Sequence, residues 1–116
     1  MKSHLLQNKG KFTAVFCTND YMAVGVVRAL ADEKLRVPDD IAVVGFDDLD
    51  FASTFYTPLT TYSQPLSNFG FLAAKFLIKQ MRSKKDKNLQ GELLGELVVR
   101  QSCGAELKKK ALKKLI

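Results

Sequence analysis

The sequence predicts an α/β fold with a mostly parallel sheet, and three observations carry that prediction. Two short apolar, β-prone runs, residues 12–17 (FTAVFC) and 41–46 (IAVVGF), flank a stretch whose apolar residues repeat at helical spacing. Turn and cap residues stand at both joints. Strand, helix and strand in that order make a βαβ unit, the connection that parallel strands require and that is right-handed almost without exception.

The first run reads as a buried strand. Thr18, Asn19 and Asp20 then supply turn and N-cap chemistry. Over residues 21–35, Met22, Val26 and Leu30 share one i, i+4, i+8 set, and Ala23, Val27 and Ala31 share another. Val24 and Leu35 widen this belt, so the helix is expected to pack on a sheet on one side and on something else on the other. Val37, Pro38, Asp39 and Asp40 form a turn. The continuous apolar run 41–46 is expected to be a strand covered on both faces.

Asp47, Asp48, Leu49 and Asp50 open an irregular segment that runs to Pro58 and is rich in aromatic residues. Residues 59–63 are β-prone. Pro65 starts a second helix, on which Leu66, Phe69, Leu72, Ala73, Phe76, Leu77 and Met81 trace an apolar stripe that ends in the polar residues 84–88 (KKDKN). A final strand is expected over residues 96–102 (ELVVRQS), and the tail 105–116 has the spacing of a small amphipathic helix.

With 116 residues, 47% of them hydrophobic and 26% charged, the chain is long enough for one modest globular domain. No apolar run approaches the roughly 20 residues of a membrane span. The opening MKSHLLQNK has no apolar core, so no secretory signal is expected and the chain is expected to be cytoplasmic. The net charge of +6 concentrates in residues 79–87 and 108–114. Aromatic residues do not interleave with those lysines and no helix-turn-helix pattern is present, so they read as solvated ends rather than a nucleic-acid surface. Cys17 and Cys103 stand far apart without metal-type partners; Cys17 is expected to be a small buried hydrophobe, and no metal or other cofactor is expected.

Ligands of open parallel α/β sheets bind beyond the carboxyl ends of the strands. Asn19 and Asp20 follow the first strand, Asp47 and Asp48 the second, and Gln64 the third. Carboxylates and amides match the donor and acceptor pattern of adjacent hydroxyls, as on a sugar ring. Asn19 and Asp20 would serve equally as a helix cap, and Asp47 and Asp48 equally as loop stabilisers. An acid/base pair of Asp47 and Asp48 is disfavoured, because adjacent residues of an extended segment point apart. The single histidine, His4, lies at the terminus, and no phosphate loop or nucleophile elbow is present. No enzyme is expected.

Four segments in order carry a family resemblance: residues 16–25 (FCTNDYMAVG), 37–48 (VPDDIAVVGFDD), 58–65 (PLTTYSQP) and 96–103 (ELVVRQSC). They resemble the LacI/GalR family of transcriptional regulators over the C-terminal part of its effector domain. The resemblance implies a periplasmic-binding-protein type I-like lobe, three-layered and flavodoxin- or Rossmann-like, with a small-molecule effector, sugar or nucleoside-like, between two lobes. It implies that Asn19, Asp47 and Gln64 contact the effector and that Asp20 and Asp48 support them. It further implies a C-terminal lobe from residues 12–65 and 95–103, a helix 66–83 belonging with the other lobe, and a tail 104–116.

Helix 21–35 and loop 51–58 resemble surfaces used for homodimer contacts, which would account for the wide apolar belt. The family's DNA-reading headpiece, hinge and most of its first lobe have no counterpart here, so DNA contact is expected only through such a headpiece, and a truncated chain that self-associates is expected. The alternative is a fragment of a periplasmic sugar-binding protein of an ABC transporter, which shares the fold.

Overall fold

A computed structural model describes residues 12–82 and 90–105. The chain divides into two compact units, one formed by residues up to Ser63 together with those from Leu97 onward, the other by Gln64–Glu96.

The sheet holds strands β1 (Ala14–Phe16), β2 (Ala42–Asp47), β3 (Thr60–Ser63) and β4 (Glu96–Val98), in the spatial order β1-β2-β3-β4, and all but Glu96 of these residues belong to the first unit. β1 and β2 run parallel with Phe16 opposite Val44, and β2 and β3 run parallel with Phe46 opposite Tyr62 and Asp47 opposite Ser63. Helix α1 (Asp20–Asp32) makes the crossover from β1 to β2. Its Ala23, Val26, Val27, Ala29 and Leu30 form the core with Cys17, Ile41, Val43, Ala52 and Leu59.

Burial of the strands differs from the sequence expectation. β1 is exposed along most of its length, and β2 buries Val43 and Gly45 while Ala42, Val44 and Phe46 are half-buried. The physical reason is that the helix of the βαβ unit covers one sheet face only. On the other face an aromatic row runs across three strands: Phe16 meets Phe46 edge-on at 6.5 Å, and Phe46 stacks on Tyr62 at 5.2 Å. Phe16 is 64% exposed.

The strand expected over residues 96–102 ends at Val98, and Gln101–Cys103 form a single 3-10 turn instead. The tight turn lets the amides of both Gln101 and Ser102 donate to Pro58 O, at 3.0 Å each. A straight strand would point successive amides to opposite sides and could not do so.

In the second unit, helix α2 (Leu66–Arg82) carries the expected apolar stripe, yet none of its residues is buried; Leu72 and Phe76 are half-buried near Gly91. Residues 84–88, the tail from 106 and His4 lie outside the described residues.

Candidate functional site

The candidate site lies where β1 and β2 end side by side. Asn19 comes after Phe16, and Asp47 after Val44, and these two strand residues are register partners, so the two polar residues leave parallel strands at one rim. Asp47 in turn faces Ser63, the residue before Gln64.

Asn19 is in an extended conformation, and its side-chain oxygen accepts from Met22 N at 2.8 Å, capping α1. The cap function is therefore present. The amide nitrogen bonds nothing among the described residues, so the side chain keeps two donors for another partner.

Asp20 is fully buried. Its Oδ1 accepts from Thr61 Oγ1 at 2.6 Å and its Oδ2 from Leu49 N at 2.8 Å. Placed in the first turn of α1, it also sits favourably in the field of the helix. Both oxygens are engaged inside the protein, so Asp20 holds structure rather than facing the rim. Its space is reserved by Gly45: a Cβ there would overlap Asp20 Oδ1 and approach Leu59 Cδ2 to 3.0 Å.

Asp47 and Asp48 depart from the extended geometry expected of them. Both have positive φ, 111° and 56°. Non-glycine residues avoid this region, at a cost on the order of 1–3 kcal/mol each. Thr61 lies opposite Gly45 in the ladder, so a chain running straight on past Asp47 would carry Asp48 away from it. The two positive torsions turn the chain back, and Asp48 N donates to Thr61 Oγ1 at 3.3 Å. Both aspartates are half-buried.

Arg100 holds the folded-back Asp48. Its Nη2 lies 2.8 Å from Asp48 Oδ1, with the two side chains only 19% and 21% exposed. The contact is an ion pair whose angle is poor for a hydrogen bond, so Coulombic attraction carries it. Such a shielded pair has less water to compete with than a surface one, whose usual worth is about 0–1 kcal/mol. Nη1 of the same guanidinium donates to Leu59 O at 2.9 Å, and Arg100 N to Thr60 Oγ1 at 2.8 Å.

Buried Ser102 completes the strap. It donates to Val43 O at 2.6 Å and accepts from Thr60 N at 2.8 Å, so one hydroxyl bridges β2 and β3. Reading the sequence for polar groups at strand ends missed Arg100, Ser102 and Thr61. An arginine closing the apolar run of residues 97–99 was the available signal.

Gln64 opens the second unit, half-buried, with its carbonyl accepting from Leu66 N at 2.8 Å at the start of α2. Cys17 is buried as expected; burial, with a smaller contribution from nearby Asp20, pushes its thiol pKa up, which keeps it protonated and unreactive. Among the described residues no group of three or more His, Cys, Asp or Glu side chains could hold a metal ion, and no helix is long and apolar enough to cross a membrane.

Comparison with known proteins places this geometry among relatives. A family model described as a periplasmic binding protein-like domain matches residues 2–103. The HTH-type transcriptional repressor PurR of Histophilus somni (strain 2336) is 41% identical over 102 residues, covering 88% of this chain and 30% of the repressor. The complex of the transcriptional regulator CelR with cellobiose superimposes with a TM-score of 0.79 at 32% identity, covering 87% of this chain and 31% of CelR. A LacI family transcriptional regulator from Lactobacillus casei with bound sucrose superimposes with a TM-score of 0.63 at 40% identity, covering 77% of this chain and 32% of the regulator. The chain thus spans about 30% of the length of the curated relatives it matches.

Proposed function

The chain belongs to the periplasmic binding protein-like domain family, of the kind carried by LacI/GalR-type regulators, and on that premise we propose that it is an effector-binding and dimerisation segment of a transcriptional regulator. The observation that carries the reading is the Asp47–Asp48 turn: a strained, half-buried pair of aspartates held at the carboxyl rim of a parallel sheet, beside Asn19. Backbone strain persists only where surroundings enforce it, and it gathers at ligand sites.

In this reading Asn19, Asp47 and Gln64 hydrogen-bond a small polar effector, a sugar or nucleoside-like molecule, with Asp20 and Asp48 in support. The sucrose and cellobiose bound by the relatives named above favour the sugar class. Regulation requires that the effector bind two lobe arrangements with different affinity, so that its binding shifts the DNA-competent population. DNA contact belongs to a headpiece outside this segment, the chain performs no catalysis, and its compartment is the cytoplasm.

Homodimer contacts run through residues 21–35 and 51–58. Tyr21 and Met22 on that helix are 70% and 55% exposed, Tyr56 on that loop is 95% exposed, and Tyr21 packs on Phe51 at 5.2 Å. A monodisperse monomer by light scattering at tens of micromolar would count against this association. The transporter-protein alternative has less support, because the relatives reported above are named as transcription regulators.

The test is calorimetric titration of the protein and its Asp47→Ala variant with ribose, glucose, sucrose, cellobiose and adenosine. A desolvated hydroxyl that loses its partner costs roughly 1–3 kcal/mol, so affinity for the bound member is expected to fall about tenfold or more. Unchanged affinity removes Asp47 from the site.

A further inference from the structure

We propose that Arg100 is the positioning residue of the binding rim: it sets the aim of Asp47 by pinning the neighbouring Asp48, so that residues 100–103 act as a latch on the site. The inference rests on the reading of the Asp47–Asp48 turn as part of an effector site and adds to it a control point lying in a different segment of the chain.

Two successive positive-φ aspartates do not hold their shape unaided. Asp20 and Thr61 restrain the amides of the turn, through Leu49 N and Asp48 N. Only Arg100, among the described residues, reaches the Asp48 carboxylate. The guanidinium does so from a fixed base. One nitrogen is anchored on Leu59 O and another faces Asp48, while the backbone amide of the same residue is tied to Thr60 Oγ1.

The planar fork therefore links the entry of β3 to the turn after β2. An ammonium group, a compact point charge on a flexible stem, matches this spacing poorly. Ser102 fixes the latch on the sheet through Val43 O and Thr60 N, so displacement of residues 100–103 would reach Asp48 through Arg100.

Residue-resolved hydrogen exchange on the full 116-residue chain tests this without knowledge of the effector. Arg100→Met is expected to speed exchange of the Leu49 amide about tenfold or more, while amides of Val26–Leu30 in α1 keep their rates. Arg100→Lys is expected to restore part of the protection by returning the charge. Asp48→Asn, which removes the charge at the other end, is expected to reproduce the local effect. If Arg100→Met fails to fold, Asp48→Asn with Arg100→Lys decides.

Ser102→Ala, which frees the latch from Val43 O and Thr60 N, is expected to raise Leu49 exchange as well, in excess of any rise at Val26–Leu30. Unchanged Leu49 exchange in Arg100→Met and Asp48→Asn, or a rise matched by α1, overturns the proposal. Titration with ribose, glucose, sucrose, cellobiose and adenosine is a separate arm. Loss of Leu49 protection with no binder found would leave the latch standing and count against the effector reading.

Discussion

Thr61 Oγ1 donates to Asp20 Oδ1 at 2.6 Å, joining the first turn of α1 to β3 across 41 residues of sequence. The same carboxyl group accepts from Leu49 N, and the same hydroxyl accepts from Asp48 N. One buried pair therefore ties together a helix start, a strand and the turn between two strands. Its consequences can be measured.

Thr61→Val keeps the shape of the side chain and deletes the hydroxyl. It leaves Asp20 Oδ1 and Asp48 N without their partner, and a buried group left unpaired costs about 1–3 kcal/mol. Urea denaturation is expected to show a loss in that range with an unchanged slope. A loss below about 0.5 kcal/mol, the scale of ordinary surface changes, would mean that the pair contributes nothing.

Gly45→Ala tests the space beside the pair. The new methyl group would overlap Asp20 Oδ1 and crowd Leu59, and overpacking of this kind costs typically about 1–3 kcal/mol. Because Asp20 cannot move without releasing Thr61 or Leu49 N, the upper end of the range is expected. Thermal denaturation at the unmodified temperature would show that Asp20 has room to yield.

Asn19 carries two roles that substitution separates. Asn19→Ala removes the cap on Met22 N and is expected to cost about 1 kcal/mol of stability. Asn19→Ser keeps a capping oxygen but lacks amide donors, so stability is expected to survive while affinity for the bound sugar or nucleoside falls. Affinity equal to that of the unmodified protein in Asn19→Ser would leave Asn19 as a cap alone.

Asp40 gives a pH signature on the far side of the unit. Hydrogen bonds from the Arg36 side chain, at 3.0 and 3.2 Å, and from its backbone amide, at 2.8 Å, hold the Asp40 pKa below the usual carboxylate range. The folded chain then binds this proton less readily than the unfolded chain. The stabilisation is fully present above the unfolded value of about 4 and is lost as pH falls through the lower folded value. Asp40→Asn is expected to melt earlier than the unmodified protein at pH 7, with the difference closing below about pH 4. A pH-independent difference would assign the effect to something other than this carboxylate.

The βαβ unit, the third strand and the start of α2 to within a residue, and a helix cap at Asn19 or Asp20 were legible in the sequence, because each depends on residues close together along the chain. Apolar periodicity names a helix or strand, and Asn19 reaches Met22 N by local geometry. The order of polar groups at strand ends was legible for the same reason. Local pattern does not state which elements cover a strand, and so β1 was expected to be buried when one of its faces is open.

What the tertiary structure decided is the fate of each polar group. Asp20 and Asp47 look alike in the sequence, both acids just beyond or at the end of a strand. Folding buries the first against Thr61, 41 residues away, and leaves the second half-exposed on a turned-back backbone. Arg100 became part of the rim only because the chain returns after 52 residues to meet Asp48, shown by their 2.8 Å contact. Hydrogen bonds and ion pairs act over a few ångströms of space, while sequence records only separation along the chain.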